Sequence, residues 1–229
     1  MKKLLSYFSK GEWRLWIGSV TGIIGAYFLF SGGDGLTLLA SLIGVTSLIF
    51  NAKGHPVGQV LMVVFSILYG IISYTFRYFG EMITYLGMTM PMASLALFSW
   101  LRNPYKGNKA QVTVSSLTGR EWVFGTVLTI LVTIAFYFIL SAFRTANLLP
   151  STLSVTTSFL AAYLTYKRSP WYAVAYAAND VVLMALWVMA ALVEPGYVSV
   201  VVCFAAFLVN DLYGFINWRK MEKKQAKGI

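Results

Sequence analysis

Apolar residues fall in eight runs of about 20 residues, and short polar segments separate each run from the next. Because a helix rises about 1.5 Å per residue, a run of that length spans the roughly 30 Å hydrocarbon core of a bilayer. The pattern therefore predicts an all-α polytopic membrane protein with eight transmembrane helices. The predicted spans are residues 12–31, 36–51, 56–76, 81–101, 121–143, 148–166, 170–193 and 197–218.

The composition and the distribution of charge agree with a membrane protein. Only 11% of the 229 residues are charged and 58% are hydrophobic, whereas about 25% are charged in soluble domains. Sixteen of the 18 Lys and Arg residues lie on one side of the predicted spans, and only Arg77 and Arg144 lie on the other. Since basic segments are retained in the cytoplasm, both termini are predicted to be cytoplasmic. The net charge of +10 thus sets the topology and indicates no nucleic-acid partner.

The sequence carries no motif for catalysis, for a nucleotide phosphate or for a metal ion. Cys203 is the only cysteine, which excludes an internal disulfide framework and a thiolate zinc cluster. Neither a phosphate-binding GxxxxGK loop nor an HExxH or GxSxG sequence is present. We therefore expect neither an enzyme nor a cofactor.

The chain contains an internal repeat. Residues 9–13 (SKGEW) match 118–122 (TGREW), and each reads as a capping box that begins a helix. Two further pairs match in the same order, residues 54–56 (GHP) with 168–170 (RSP) and 98–102 (FSWLR) with 216–220 (INWRK). Four spans in each half indicate a parallel duplication, as in several transporters. The two tryptophans of the last pair, Trp100 and Trp218, are predicted to lie at the membrane–water interface.

Two carboxylates lie near the middle of predicted spans. Asp180 lies ten residues into the seventh span and Asp211 about 14 residues into the eighth, and an asparagine precedes each of them. An ionised side chain at that depth costs about 2.5–3.5 kcal/mol on insertion scales, so it needs a reason. Two interpretations stay open, a ligand site or Asn–Asp pairs that bridge helices.

Further polar and aromatic residues share faces with these carboxylates. At 100° per residue, Tyr176, Asp180 and Trp187 lie on one side of the seventh helix. Together with a polar stripe on the third span, they offer carboxylates, amides and aromatic planes to a flat cation that carries a polyol. The stripe comprises Gln59, Ser66, Gly70, Ser73 and Arg77, with Tyr69 beside it. The repeat pairs Asp180 with Ser66, so the chemistry is concentrated in the second half and a single substrate should bind off-centre.

The repeat, the Gly54-His55-Pro56 helix entry and the closing sequence NDLYGFINW (residues 210–218) before a lysine-rich tail resemble the PnuC family of bacterial nicotinamide riboside transporters. The resemblance runs from about residue 36 to 224. It implies a 3+1+3 arrangement like that of SWEET sugar transporters, with one added N-terminal helix. It also implies a homotrimer in the bacterial inner membrane, and facilitated diffusion followed by trapping through a cytoplasmic kinase.

On this basis we expect a membrane transporter for nicotinamide riboside that works by alternating access. Thiamine or another vitamin of the same family, or a proton-coupled porter, are the alternatives. The predicted substrate-binding residues are Gln59, Tyr69, Tyr176, Asn179, Asp180, Trp187, Asn210 and Tyr213, and Glu81 and Asp211 are assigned to a gate or vestibule. The predicted units are an N-terminal helix (1–35), a three-helix bundle (36–103), a cytoplasmic linker (104–118), a central helix (119–146), a second bundle (147–220) and a basic tail (221–229).

Overall fold

The computed structural model describes residues 7–31, 35–75, 79–145 and 147–228, and Arg77 of the predicted polar stripe lies outside them. The described part folds into eight long helices. Their bounds are α1 Lys10–Ala26 continued by a π-helical turn Tyr27–Ser31, α2 Gly35–Ala52, α3 Val57–Thr75, α4 in the three segments Phe79–Ile83, Thr84–Thr89 (π-helical) and Met90–Arg102, α5 Gly119–Ala142, α6 Leu148–Tyr166, α7 Tyr172–Ala191 and α8 Val198–Ala226. A 3₁₀ turn, Pro195–Tyr197, precedes α8.

Seven of these helices are long and apolar enough to cross a membrane, and the eight helices follow the eight predicted spans. The remaining helix, α6, has 19 residues but is rich in serine and threonine. Several of its hydroxyls donate to a backbone carbonyl four residues earlier, as Thr152, Thr156 and Thr165 do. Such internal bonds satisfy the hydroxyls inside the helix, so that the helix remains compatible with a membrane interior.

Six helices form a closed ring, in the order α2, α3, α4, α6, α7, α8 and back to α2. The two remaining helices pack on the outside, α1 against α2 and α8, and α5 against α6. The ring has the order that a duplication requires, because α2, α3 and α4 in one half correspond to α6, α7 and α8 in the other. The helices before each set, α1 and α5, correspond as well.

The repeat extends to individual hydrogen bonds. Ser9 with Glu12, and Thr118 with Glu121, each form the complete capping box that the sequence predicts. The turns that follow α2 and α6 also correspond, since Gly54 and Arg168 occupy the left-handed region with φ values of 66° and 59°. The predicted duplication is therefore confirmed at the level of backbone geometry.

The segment between the halves contains a β-hairpin that the all-α prediction did not include. Strand β1, Pro104–Tyr105, pairs antiparallel with β2, Asn108–Val112, and the hairpin lies at the end of the ring that carries most of the lysines, which we call the basic end. The backbone of the linker donates to both repeat turns, from Val112 at the end of the hairpin to the carbonyl of Gly54 and from Ser115 beyond it to that of Arg168, each at 3.0 Å. The linker thus lies across the ring and holds both halves.

Side chains in the ring form two layers. At the basic end Val112, Trp100, Trp218 and Met221 form a buried cluster. Farther from that end, aromatic residues of α3 and α8 form a second cluster with α2 and α1. The carboxylates lie between the two layers: Asp211 is seven residues, or roughly 10 Å, from Trp218 along α8.

Candidate functional site

The centre of the candidate site is a pair of buried carboxyl groups. Asp180 on α7 and Asp211 on α8 are each only 4% exposed, and their side chains are in direct hydrogen-bonding contact. One carboxylate oxygen of Asp180, Oδ2, is buried and has no hydrogen-bond partner in the described chain. Since a buried acceptor without a partner costs free energy, this oxygen needs a donor, which either a proton shared with Asp211 or a ligand could supply.

Two tyrosines of α7 lie beside the carboxyl pair. Tyr172 and Tyr176 are one helical turn apart, with ring centroids at 6.2 Å, and both are close enough to Asp211 to sense its charge. The Tyr176 hydroxyl is also within hydrogen-bonding reach of Thr165 on α6. The position of Tyr176 beside both carboxylates agrees with the shared face that helical spacing predicts.

A cluster of aromatic rings, which we call the aromatic wall, lies on the side of the carboxyl pair away from the basic end. Tyr69 contacts Phe65 at 4.6 Å and Tyr85 of α4 at 5.1 Å between ring centroids, and Phe65 approaches Phe207 at 6.2 Å. Trp187 is part of the same layer, and its ring packs on Tyr197 at 5.2 Å. Aromatic faces of this kind attract flat cations.

The two asparagines that precede the carboxylates do not contact each other. Asn179 contacts α6, and Asn210 contacts α1. The Oδ1 atom of Asn179 accepts hydrogen bonds from Ser154 and Thr157 of α6. The Nδ2 atom of Asn210 donates at 2.9 Å to Ser19 of α1, which lies outside the ring. Both amides thus bridge helices, as the second interpretation of the Asn–Asp pairs expects. The Oδ1 atom of Asn210 is nevertheless buried without a partner.

Two further residues of the predicted site are also used in contacts within the protein. Gln59, 3% exposed, donates at 2.8 Å to the side chain of Asn51 and so joins α3 to α2. Tyr213 is two residues nearer the basic end than Asp211, and its hydroxyl donates at 2.8 Å to Glu12. Glu81, assigned to a gate or vestibule, is partly buried in the first turn of α4 and lies near Tyr85.

The basic end of the site is closed by the two repeat tryptophans. Trp100 and Trp218 are 1% and 0% exposed, and their rings contact each other at 5.4 Å. The prediction that they lie at the membrane–water interface is therefore wrong. Each indole N–H instead donates a hydrogen bond to a backbone carbonyl of the opposite half, and a tryptophan with its N–H bonded in this way can be fully buried.

Comparison with known proteins agrees with this architecture. The family model described as nicotinamide mononucleotide transporter matches residues 34–220. The chain belongs to this transporter family. A nicotinamide riboside transporter PnuC of Neisseria mucosa is 24% identical over 93% of this chain and 82% of its own length. The PnuC of Haemophilus influenzae is 22% identical over 82% of this chain and 81% of its own length.

The fold of the family is confirmed by a solved structure. A crystal structure described as the vitamin B3 transporter PnuC matches with a TM-score of 0.79 at 23% identity, over 95% of this chain and 94% of the other. The resemblance to the PnuC family read from the sequence is thus confirmed. The protein is an integral membrane transporter whose helices surround the carboxyl pair and the aromatic wall.

Several residues around the carboxyl pair of this family member were missed from the sequence. Phe65 and Tyr172 precede predicted site residues by one helical turn, a spacing that would have identified them. Tyr85 lies in the π-helical turn of α4, where helical phase changes, and sequence periodicity gives no signal for it.

Proposed function

We propose that this chain carries nicotinamide riboside across the bacterial inner membrane by facilitated diffusion, with the basic end in the cytoplasm. The single observation that carries the proposal is the buried carboxyl pair with its unpartnered oxygen, enclosed between aromatic rings inside the helix ring. Such a site suits a flat organic cation, and nicotinamide riboside is a pyridinium ring on a ribose. The names of both PnuC relatives support the same substrate.

The charge of the site favours the riboside over the mononucleotide in the family's description. A phosphate group would bring negative charge toward Asp180 and Asp211. The three ion pairs among the described residues join other groups, and none supplies a Lys or Arg to either carboxylate. Phosphate recognition ordinarily uses such cations. We therefore propose that phosphorylation, by a cytoplasmic kinase, converts the riboside into a product that this site does not accept.

In this proposal, Trp187, Tyr176 and Tyr69 stack on the pyridinium and Asp180 offsets its charge. Asn179, Asn210 and Gln59 hold the ribose hydroxyls, and Tyr213 completes this set. These four residues exchange contacts within the protein for contacts with substrate, so substrate binding rearranges the helix contacts that they make. Glu81 and Asp211 gate access to the site. The two halves of the ring rock around it, and the Trp100–Trp218 contact opens on the cytoplasmic side.

We also propose that the transporter is a homotrimer, with the three-helix bundles 36–103 and 147–220 as its moving units. One observation favours contact between copies: side chains built at Gly18, Gly22 and Gly25 of α1 would meet no other atom within 4 Å. These glycines lie on a face of α1 that the rest of the described chain leaves free. Small residues on such a face let helices approach closely within a membrane.

The test is uptake of labelled nicotinamide riboside into proteoliposomes made with the purified protein. Competitors would be thiamine, riboflavin, nicotinamide mononucleotide and the reduced riboside, which has the same shape without the ring charge. We expect saturable uptake that is inhibited by the unlabelled riboside. The mononucleotide and the neutral reduced form should inhibit this uptake only weakly. Asp180→Ala should abolish uptake while leaving the thermal stability in detergent close to that of the wild type.

Other outcomes separate the alternatives. Stronger inhibition by thiamine than by the unlabelled riboside would support the same binding site but identify thiamine as the substrate. Collapse of uptake when an ionophore dissipates the proton gradient would indicate a proton-coupled porter. Equal loss of uptake and of stability in Asp180→Ala would make the carboxyl pair a bridge between helices.

A further inference from the structure

The number of negative charges on the carboxyl pair determines which substrates the site accepts, an inference that rests on the proposed function. Asp180 and Asp211 are buried and in contact with each other. Among the described ion pairs, none joins either residue to a Lys or Arg that would compensate its charge. Two adjacent carboxylates in a low-dielectric interior repel each other strongly, so they do not ionise together without a cation between them.

Within the part of the chain that the structure describes, the groups that face the pair supply no positive charge. Tyr172 and Tyr176 of α7 are neutral phenols, and Cys203 of α8 is a buried thiol. Thr165 of α6 contributes a hydroxyl beside Tyr176. Each of these is neutral at ordinary pH. A proton held between the two carboxyl groups is therefore the simplest way to remove one of the two charges.

The duplicated half confirms that the charge is one-sided. The repeat offsets place Ser66 opposite Asp180 and Ala93 opposite Asp211. Both counterparts are buried, at 0% and 5% exposure, and both are uncharged. The two corresponding positions of the first half thus offer the pair neither a counter-charge nor a second acid.

The unpartnered oxygen of Asp180 agrees with one proton on the pair. The Oδ2 atom is buried and has no donor among the described residues, and a proton shared with Asp211 would supply one. One shared proton leaves a single negative charge on the pair, and a bound organic cation compensates that charge.

We propose that Asp180 and Asp211 act as one acid pair that holds a single shared proton, so that the site presents one negative charge and selects singly charged organic cations. The charge belongs to the pair and not to either residue. An asparagine resembles a protonated aspartic acid in shape and can donate to its neighbour. Asp180→Asn and Asp211→Asn should therefore each keep one negative charge.

The test measures binding of nicotinamide riboside and of its neutral reduced form to the purified transporter by intrinsic tryptophan fluorescence. Wild type, both single asparagine variants, the double variant and Glu222→Gln as a control about three turns farther along α8 would be compared. We expect each single variant to bind the charged form within about tenfold of wild type and to keep its preference for it. The double variant should bind both forms equally, and Glu222→Gln should match wild type.

Three results would overturn the proposal. If only one single variant loses the preference for the charged riboside, the charge belongs to the residue replaced in that variant alone and is not shared. If both single variants lose it, the site needs two charges. If the double variant keeps the preference, the pair does not select for charge. Calorimetric titrations in two buffers with different heats of ionisation add a count of protons, for which we expect no net exchange near pH 7; release of a proton on binding would show that the substrate displaces the shared proton.

The shared proton can also be tested without substrate, which separates it from the proposed function. The infrared spectrum of the wild type minus that of the double variant should contain the carbonyl band of a protonated carboxylic acid. The band should be missing from both single variants. If the band is present and neither riboside form binds, the proposed function fails and the acid pair stands; if the band is missing from the wild type, the acid pair fails.

Discussion

Trp100 and Trp218 contact each other at the axis of the helix ring, and each donates its indole N–H to a backbone carbonyl of the opposite half. Trp100 donates to Thr165 at 2.9 Å, and Trp218 donates to Asn51 at 2.8 Å. The offsets of the repeat, 114 and 118 residues, relate the two bonds to each other. The duplication therefore produces a symmetric joint that ties the α2–α8 contact to the α4–α6 contact.

We expect Trp100→Phe and Trp218→Phe to destabilise the protein by similar amounts. Each variant keeps an aromatic ring but removes one of two donors to a buried carbonyl, since the Arg168 N–H also donates to Thr165 and the Gly54 N–H to Asn51. The loss should therefore be that of one ordinary hydrogen bond, about 0.5–1.5 kcal/mol. Thermal unfolding in detergent measures the effect, with Trp122→Phe as control because that ring is 38% exposed on α5. An effect at one position only would show that the joint is asymmetric.

The two capping boxes should differ in strength. Glu12 is 3% exposed and accepts hydrogen bonds from Lys53 at 3.1 Å and from Tyr213 at 2.8 Å, whereas Glu121, paired with Lys167, is 35% exposed. We expect Glu12→Gln to cost about 1.5–3 kcal/mol, the range for hydrogen bonds to charged groups. Glu121→Gln should cost less than about 1 kcal/mol, because water screens that pair.

The measurement is again thermal unfolding in detergent, at low and at high salt. High salt should weaken the Glu121–Lys167 pair and have little effect on the buried Glu12–Lys53 pair. Equal losses in the two glutamine variants would contradict the difference in burial. A further variant, Tyr213→Phe, separates the hydroxyl contact of Glu12 from its ion pair.

The sequence predicts the helices and the repeat because both depend on local patterns. Runs of apolar residues determine the spans, and the SKGEW and TGREW motifs form the expected capping boxes. Helical spacing also places Tyr176 beside Asp180. The partners of the amides depend instead on which helices are neighbours. Asn210 and Asp211 are adjacent in sequence, but α1 lies outside the ring and takes Asn210, while α7 takes Asp211.

The position of the tryptophans could not be read from sequence for a similar reason. A tryptophan near the end of a span is ordinarily an interfacial residue. Trp100 and Trp218 are buried instead, because the linker closes over them and Val112 joins their cluster. That linker has no hydrophobic periodicity that would place it across the ring.

The linker should be held in place by Gln225 of α8. The Gln225 side chain accepts from the Val114 N–H at 2.8 Å and donates to the Val112 carbonyl at 3.0 Å, so it pairs with the linker as a strand would. We expect Gln225→Ala to increase hydrogen exchange at Val114 by about an order of magnitude or more, since the two lost bonds are each worth about 1 kcal/mol and about 1.4 kcal/mol is tenfold. Lys223→Ala, at an exposed position two residues away on α8, serves as control. Unchanged protection would mean that the linker is held by its backbone bonds to the repeat turns alone.

His55 should make the stability of the basic end depend on pH. Its ring lies between Tyr7 and Phe50, at 5.6 and 5.5 Å, and its Nδ1 atom accepts the Val57 N–H at 3.1 Å. Burial lowers the pKa of His55 below its ordinary value of 6.5. The unfolded chain therefore binds this proton more readily, and the free energy of unfolding falls as the pH drops from about 7 through 6.5 to the lowered pKa.

The comparison that isolates His55 is with His55→Asn, which keeps a side-chain acceptor for the Val57 N–H but does not titrate. Between pH 7.5 and 5.5 the wild type should lose more stability than the variant. The difference should be a fraction of the roughly 1.4 kcal/mol that one pKa unit represents, because the ring is partly accessible and water screens its charge. Parallel pH profiles for the two proteins would show that His55 is protonated equally well in the folded and unfolded chains. A steeper profile in the variant would reverse the sign of the shift.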